Sequence, residues 1–216
     1  MFTLTIPALG EFGTNCYLVW GADKKGALID APCNAEHILS VIDSKGIILE
    51  KILLTHGHCD HIAAAAEIAD KTDAQVVIHK NDLPKLTDNA ANLADFFGMP
   101  PVTPVENAVT CEDGDVISIG SGEVEFEVLH TPGHTSGSVC YIADDRMYVG
   151  DTIFKGSMGR TDMFDGDEDT LFSTLAMLYE FDVRTDYLLL PGHGEQTYIS
   201  EERMNNRYLI YAYKRS

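Results

Sequence analysis

The chain has 216 residues, of which 34 are Asp or Glu and 15 are Lys or Arg, so its formal net charge is −19. The 45% apolar composition is typical of a globular protein, and the length suits one domain. We therefore predict a single domain over residues 1–216, built from two similar halves, roughly 1–110 and 111–216. The acidic balance disfavours nucleic acid and anionic membranes as partners, because both are bound by basic surfaces.

The first residues, the apolar runs and the cysteine spacing bear on the cellular compartment of the protein. No apolar run approaches the roughly 20 residues of a transmembrane helix, and the first residues lack the basic start of a signal peptide. The five cysteines are odd in number and widely spaced, which is not typical of a disulfide framework. These features together predict a cytoplasmic protein, since that compartment keeps thiols reduced.

In the first half, short runs of β-branched and aromatic residues predict strands. They lie at Phe2–Pro7, Asn15–Trp20, Ala27–Asp30, Lys51–Thr55 and Gln75–His79. A helix capped by Asn34 is expected to end at Gly46. Asp60 is a candidate cap for a second helix, Ile62–Lys71, and residues 81–98 read as helical with a polar break before a proline-rich loop over 99–105.

The second half repeats this order of strands followed by helix. Strands are predicted at Val116–Ile119, Val124–His130, Ser138–Ile142, Met147–Val149 and Tyr187–Leu190, and a helix at Asp169–Phe181. Two such halves predict two sheets packed face to face with helices outside. The aromatic segment Tyr208–Tyr213 is expected to be a terminal helix or strand that packs on the domain, covers part of the site or forms a dimer contact.

Three histidines and an aspartate fall within six residues directly after a predicted buried strand. The run is His56-Gly57-His58-Cys59-Asp60-His61. Imidazole and carboxylate are the ligands of borderline cations such as zinc, iron and manganese, and a loop leaving a rigid strand can bring them to one point. The spacing therefore predicts a metal site. Cys59 lies inside this loop, and we expect it to be a neighbour rather than a ligand.

Two further histidines stand in near-identical settings, again after predicted strands. They are His134 in Thr131-Pro132-Gly133-His134 and His193 in Pro191-Gly192-His193, where glycine permits the sharp turn that directs the next side chain. Asp151, in Gly150-Asp151-Thr152, follows another strand, and its two oxygens suit a bridge between metals. Together these residues exceed the four ligands of a closed zinc site, which predicts two metals and metal-assisted hydrolysis.

The run Thr55-His56-Gly57-His58-Cys59-Asp60-His61 resembles the T-H-x-H-x-D-H signature of the metallo-β-lactamase fold superfamily. His134, Asp151 and His193 match its remaining ligand positions in order. The stretch from Gly150 to Asp162 further resembles the glyoxalase II (hydroxyacylglutathione hydrolase) group, especially its short bacterial single-domain members.

This resemblance implies an α/β (α+β) protein with the four-layer αββα sandwich of the metallo-β-lactamase fold. His56, His58 and His134 would hold the first metal. Asp60, His61 and His193 would hold the second, with Asp151 bridging. The resemblance further implies that Asp60 orients a bridging hydroxide, which attacks the carbonyl of a small thioester such as S-lactoylglutathione. Two divalent ions are expected, zinc first, with iron or manganese as alternatives.

Departures from the larger glyoxalase II enzymes concern the thiol half of the substrate. The chain stops 23 residues after His193, so the C-terminal domain that supplies glutathione contacts in those enzymes is expected to be missing. Arg160 stands where they carry a lysine, and Asp162 where they carry a tyrosine. Arg160 is therefore a candidate to bind a substrate carboxylate, with a structural ion pair to Asp162 as the equal alternative.

Other functions fit the same residues. A persulfide dioxygenase would hold a single iron with His56, His134 and Asp151, although Pro191-Gly192-His193-Gly194 favours the hydrolase. A lactonase is a third candidate, and a metal-holding binding module is the non-enzymatic one. A β-lactamase is disfavoured because such enzymes are exported. The sequence leaves the oligomeric state open, a homodimer included.

Overall fold

A computed structural model describes the backbone of residues 1–216 and every side chain except that of Ala8. Fourteen strands form along the chain. They are β1 (Phe2–Leu9), β2 (Thr14–Trp20), β3 (Lys25–Ile29), β4 (Ile48–Leu53), β5 (Gln75–His79), β6 (Val109–Cys111), β7 (Val116–Ile119), β8 (Val124–His130), β9 (Val139–Ala143), β10 (Arg146–Gly150), β11 (Ile153–Phe154), β12 (Ser157–Met158), β13 (Leu188–Pro191) and β14 (Thr197–Tyr198).

Seven α-helices and a 3₁₀ turn at Leu83–Leu86 complete the chain. The helices are α1 (Ala35–Lys45), α2 (Cys59–Ile62), α3 (Ala65–Thr72), α4 (Ala94–Phe97), α5 (Glu168–Glu180), α6 (Ile199–Asn205) and α7 (Arg207–Arg215). Among the residues that the structure describes, no helix has the length and apolar character needed to cross a membrane.

The strands form two six-stranded sheets, one from each half of the chain. The first has the order β1-β2-β3-β4-β5-β6, and the second the order β14-β13-β10-β9-β8-β7. In the first sheet β3, β4, β5 and β6 run parallel, whereas β8, β9 and β10 of the second pair antiparallel. β11 and β12 pair separately in a short hairpin after β10.

Alternating strand residues pack in opposite directions, as the period of two requires. In β2, Leu18 faces a core shared with α1 and α3, whereas Tyr17 and Val19 face a core between the sheets. In the second sheet, Tyr148 faces that central core and Val149 faces a third core shared with α5 and α7. The result is helix, sheet, sheet, helix, which confirms the predicted αββα sandwich.

Local sequence signals explain where the helices start and stop. The Asn34 side chain accepts the backbone N–H of His37 at 3.2 Å, and Gly46 ends α1 in the left-handed region, as predicted. Most of the helix predicted over Ile62–Lys71 forms as α3, but the prediction that Asp60 caps it was wrong. Asp60 instead lies within α2, which ends at Ile62, because its carboxylate is directed into the cluster of predicted ligands and accepts the hydroxyl of Thr14 at 2.8 Å.

The predicted helix over residues 81–98 is largely absent, since only the 3₁₀ turn and α4 form there. Polar side chains in this segment bond to nearby backbone instead. Asp88 accepts the N–H of Ala90 at 2.9 Å, and Asn92 accepts the N–H of Ala94 at 3.0 Å. Such local bonds offer the backbone an alternative to helix.

The aromatic C-terminal segment forms α7, which packs on α5. Tyr213 stacks on Tyr179 with ring centroids 4.1 Å apart, and Tyr211 meets Phe172 edge-on at 5.2 Å. Of the three roles expected for this segment, the structure shows packing on the domain.

Candidate metal centre

The predicted ligand residues lie where strands of both sheets end. β4 leads into the loop of His56, His58, Asp60 and His61, β8 leads to His134, β10 to Asp151 and β13 to His193. All seven occur in three groups of three residues, and within each group the ligand atoms lie within 4.8 Å of one another. Two of these groups are described below. The third consists of His56, His61 and Asp151, and it shares one histidine with each of the other two. The fold therefore brings together residues that are up to 137 positions apart in the chain.

The first group consists of His56, His58 and His134, all buried. His56 Nε2 lies 3.1 Å from His58 Nδ1 and 3.3 Å from His134 Nε2. A tetrahedral zinc with Zn–N bonds of about 2.0–2.1 Å holds its ligand nitrogens roughly 3.3–3.4 Å apart. These two separations are therefore close to those of a tetrahedral metal site.

The second group consists of Asp60, His61 and His193. Asp60 Oδ2 lies 3.3 Å from His193 Nε2 and 3.6 Å from His61 Nε2. These separations suit ligand atoms around a common ion better than hydrogen bonds of ideal length.

Asp151 stands between the two groups. Its Oδ1 lies 3.3 Å from His61 Nε2, while its Oδ2 lies 3.4 Å from His193 Nε2 and 3.6 Å from His134 Nε2. The buried atoms His61 Nε2 and Asp151 Oδ1 have no hydrogen-bond partner among the described residues. Burying such atoms unsatisfied is costly, so this donor set fits divalent cations between them.

Partners on the outer side of the rings fix which nitrogen faces inward. His61 Nδ1 donates to Asp30 Oδ2 at 2.8 Å, and His134 Nδ1 donates to the Arg160 carbonyl at 2.8 Å. In the neutral form of each ring, the proton on Nδ1 leaves the lone pair of Nε2 directed to the centre. Asp30 is itself held by the backbone N–H and hydroxyl of Thr55, at 2.8 and 2.9 Å.

Burial keeps two histidines of the first group, His56 and His58, neutral. It lowers the pKa of His56 well below its usual value and that of His58 to about 3. Neutral imidazole is the form that binds metal, because protonation occupies the lone pair.

The carboxylates around the second group have the opposite effect. Burial alone lowers the pKa of His193, but hydrogen bonds to Asp151 and Asp60 raise it to about 10. Burial likewise raises the pKa of Asp151, yet the nearby His61 and His193 leave it well below its usual value. Both aspartates are therefore ionised, and this end of the cluster favours positive charge, which a bound cation could supply in place of the protons on the histidines.

Gly192 is required by the close approach of the ligands. A Cβ at this position would collide with Asp151 Oδ1 and with the ring of His61. The loop is held from the other side, since the N–H of Asn15 donates to the Gly192 carbonyl at 2.7 Å and the Asn15 side chain donates to the Pro191 carbonyl at 3.1 Å. The second Pro-Gly-His element therefore aims His193 while leaving room for its neighbours.

Arg160 and Cys59 lie at the margin of the centre. Arg160 forms a two-pronged pair with Asp162, with Nε at 2.7 Å from Oδ1 and a terminal nitrogen at 3.0 Å from Oδ2. Both side chains are exposed. Cys59 is buried, and burial raises the pKa of its thiol to about 11, which leaves it protonated and a poor ligand.

Sequence reasoning missed three residues that position the site, namely Asp30, Thr14 and Asp82. Asp30 had a readable signal, because it follows a buried strand directly, as Asp151 does. Thr14 and Asp82 had none, since their contacts with Asp60 and Gly57 join segments that are 46 and 25 residues apart.

An αββα sandwich with this cluster at the ends of its strands is typical of the metallo-hydrolase superfamily. The chain belongs to the metallo-beta-lactamase superfamily, whose family model matches residues 9–193. Divalent metal binding is implied by this fold.

Relatives share both the length and the fold. The hydroxyacylglutathione hydrolase GloC of Haemophilus influenzae is 30% identical over 201 residues, which cover 92% of this chain and 93% of GloC. The BLEG-1 B3 metallo-beta-lactamase has a TM-score of 0.87 at 29% identity, covering 96% of this chain and 99% of that one. TTHA1623, solved in a di-iron-bound form, has a TM-score of 0.82 at 32% identity, covering 96% and 100%.

Proposed function

We propose that this protein is a dinuclear metal hydrolase that cleaves a small thioester, with S-lactoylglutathione and related compounds as the substrate class. The observation that carries the proposal is the position of Asp151, whose two oxygens reach ligand atoms of both groups. Similarity to GloC over nearly the whole chain supports the thioester, and the di-iron form of TTHA1623 supports two metals.

The proposed roles follow from the three groups of ligand atoms. His56, His58 and His134 would hold one ion, and Asp60, His61 and His193 the other, with Asp151 between them. Bound divalent ions supply Lewis acidity, which lowers the pKa of a coordinated water and polarises a carbonyl. Zinc is our first choice, with iron and manganese as alternatives, because histidine and carboxylate donors accept all three.

The residues of the chain then position the reactants. The Asp60 carboxylate, fixed by the Thr14 hydroxyl, would orient the attacking water and accept its proton. A thiolate is a stable leaving group, so cleavage would need little acid catalysis. The five cysteines are free thiols, which favours a reducing compartment such as the cytoplasm.

Side chains at the edge of the site affect how the thiol half of the substrate could bind. Arg160 is paired with Asp162, and Lys155 is paired with Glu195 at 2.7 Å. A substrate carboxylate would therefore have to displace Asp162 from Arg160. Phe12, two residues before Thr14 in the chain, meets Phe97 with ring centroids 5.1 Å apart, and both rings are partly exposed. Because these cations are already paired, thioesters with few carboxylates are expected to be the better substrates within the proposed class.

A substrate panel tests the proposal. Protein with its metal content measured should hydrolyse S-lactoylglutathione or an uncharged small thioester at least about 10²-fold faster than a lactone or a β-lactam. Faster lactone hydrolysis would favour a lactonase instead. Oxygen uptake with a persulfide, at one iron per chain, would contradict the hydrolase and indicate a dioxygenase.

A further inference from the structure

A buried carboxylate outside the predicted ligand set joins the two loops that carry the first group. Asp82 follows β5 and has no exposed surface. Its Oδ2 accepts the backbone N–H of Gly57 at 2.7 Å and the hydroxyl of Thr135 at 2.9 Å. Gly57 separates the first two histidines of the group, and Thr135 follows the third. A single oxygen atom therefore connects both loops.

Lys85 completes this connection. Its Nζ lies 2.7 Å from Asp82 Oδ1 and 2.8 Å from Asp165 Oδ2, and the residue is 4% exposed. The ammonium group compensates a carboxylate that would otherwise be buried without a counter-charge. The aliphatic stem also lies against the loop, because a Cβ at Gly57 would meet the Cβ of Lys85 at 2.6 Å. Glycine at this position is thus required for the close approach.

The network extends to the loop that supplies the outer partner of the third histidine. Asp165 Oδ2 accepts the N–H of Ser136 at 3.0 Å as well as the Lys85 ammonium. The segment ending in Asp165 includes Arg160, whose carbonyl accepts the His134 ring N–H. Asp82, Lys85 and Asp165 therefore restrain three loops around the first group.

We infer that Asp82 is a positioning residue which, with Lys85, sets the spacing of the three histidine nitrogens and hence the affinity of the first group for metal. The inference rests on the proposed metal centre. Asp30 acts differently, because it bonds a ligand ring directly. Asp82 acts through the backbone between two ligands and through the residue next to the third.

The test is Asp82→Asn, with Co²⁺ affinity and the visible Co²⁺ spectrum as readouts. The amide keeps the size but loses the charge, so Lys85 keeps only Asp165 as a counter-charge and the Gly57 N–H has a weaker acceptor. Loss of a partner that orients metal ligands typically weakens affinity by about 10- to 100-fold. We expect that loss for one of two bound ions, together with an altered Co²⁺ spectrum.

Two single variants, in which one group of ligands is already broken, show whether the lost Co²⁺ affinity belongs to the first group. In His193→Ala, where the second group is broken, Asp82→Asn should still weaken Co²⁺ binding by about 10-fold or more. In His58→Ala, where the first group is broken, it should have no further effect. Equal shifts in both backgrounds, or no shift in a folded Asp82→Asn protein, would overturn the inference. Failure of the unsubstituted protein to bind Co²⁺ would instead overturn the proposed function.

Glu202→Gln separates positioning from general stabilisation. Glu202 is also buried and accepts a backbone N–H, that of Gly156 at 2.8 Å, and a hydroxyl, that of Thr197 at 2.8 Å. Its loss should reduce thermal stability without changing Co²⁺ affinity, and an equal affinity loss would overturn the inference.

Thr135 provides a milder pair of variants in case Asp82→Asn does not fold. Thr135→Val removes the hydroxyl that donates to Asp82, whereas Thr135→Ser retains it. Weaker Co²⁺ binding in the valine variant and near-normal binding in the serine variant are expected. Identical binding in the two variants would overturn the inference.

Discussion

Replacement of Asp60 by alanine should lower kcat for thioester hydrolysis by about 10²- to 10⁴-fold, the range lost when a positioned general base is removed. Asp60 is held by the Thr14 hydroxyl at 2.8 Å and lies 3.3 Å from the ring of His193. Its pKa is lowered to about 2, since burial, which raises it, is outweighed by His61 and by hydrogen bonds from His193 and Thr14. It is therefore ionised at neutral pH, the form that can accept a hydrogen bond from the attacking water.

Steady-state kinetics and metal analysis should be measured together on this variant. Asp60→Asn, which keeps the size but loses the charge, should show a similar defect. Asp70→Ala removes an exposed aspartate of α3 and should leave kcat unchanged. Unchanged kcat in Asp60→Ala, at full metal content, would refute the role assigned to Asp60.

Replacement of Gly192 by alanine should abolish most activity by displacing the ligands rather than by removing one. The added Cβ would occupy space now filled by Asp151 Oδ1 and by the ring of His61, which lie 3.3 Å apart at the centre of the cluster. Overpacking of this kind typically costs 1–3 kcal/mol, so about that loss in the free energy of unfolding is expected. We also expect fewer than two metals per chain and a kcat/KM at least about 10²-fold lower, comparable to loss of a positioned catalytic group.

Denaturant unfolding and metal content would check this prediction. Gly46→Ala is a useful control, because Gly46 ends α1 in the left-handed region and an added Cβ there would meet no atom within 4 Å. That variant should be destabilised by the backbone strain alone and should keep its metals. A Gly192→Ala protein with full metal content and normal kinetics would contradict the geometry described for the loop.

The parts of the fold that the sequence predicted well are those set by local chemistry. The bounds of β5, β7 and β8 agree with the predicted strands because each is a short apolar or alternating run. α1 was predicted from its two caps. The side-chain oxygen of Asn34 and the left-handed conformation of Gly46 both act on backbone only a few residues away. The placement of the candidate ligands after strands was also predictable, since apolar runs before His56, His134 and His193 are visible in the sequence.

Tertiary contacts decided the parts that local chemistry could not. The helix after His61 breaks between α2 and α3, where the Ala64 N–H donates to the Ala31 carbonyl at 2.9 Å. β6 is only three residues long and exists because it pairs with β5. Asp82 stands in an ordinary polar turn, and its burial depends on loops from both halves of the chain.

The most direct measurement of the central claim is a metal titration of metal-free protein, with bound metal and the rate of thioester hydrolysis measured in the same samples. The account predicts negligible turnover without metal and a rate that rises with bound metal to a plateau at two ions per chain. Full turnover in the metal-free protein, or a plateau at one ion per chain, would contradict the dinuclear centre bridged by Asp151.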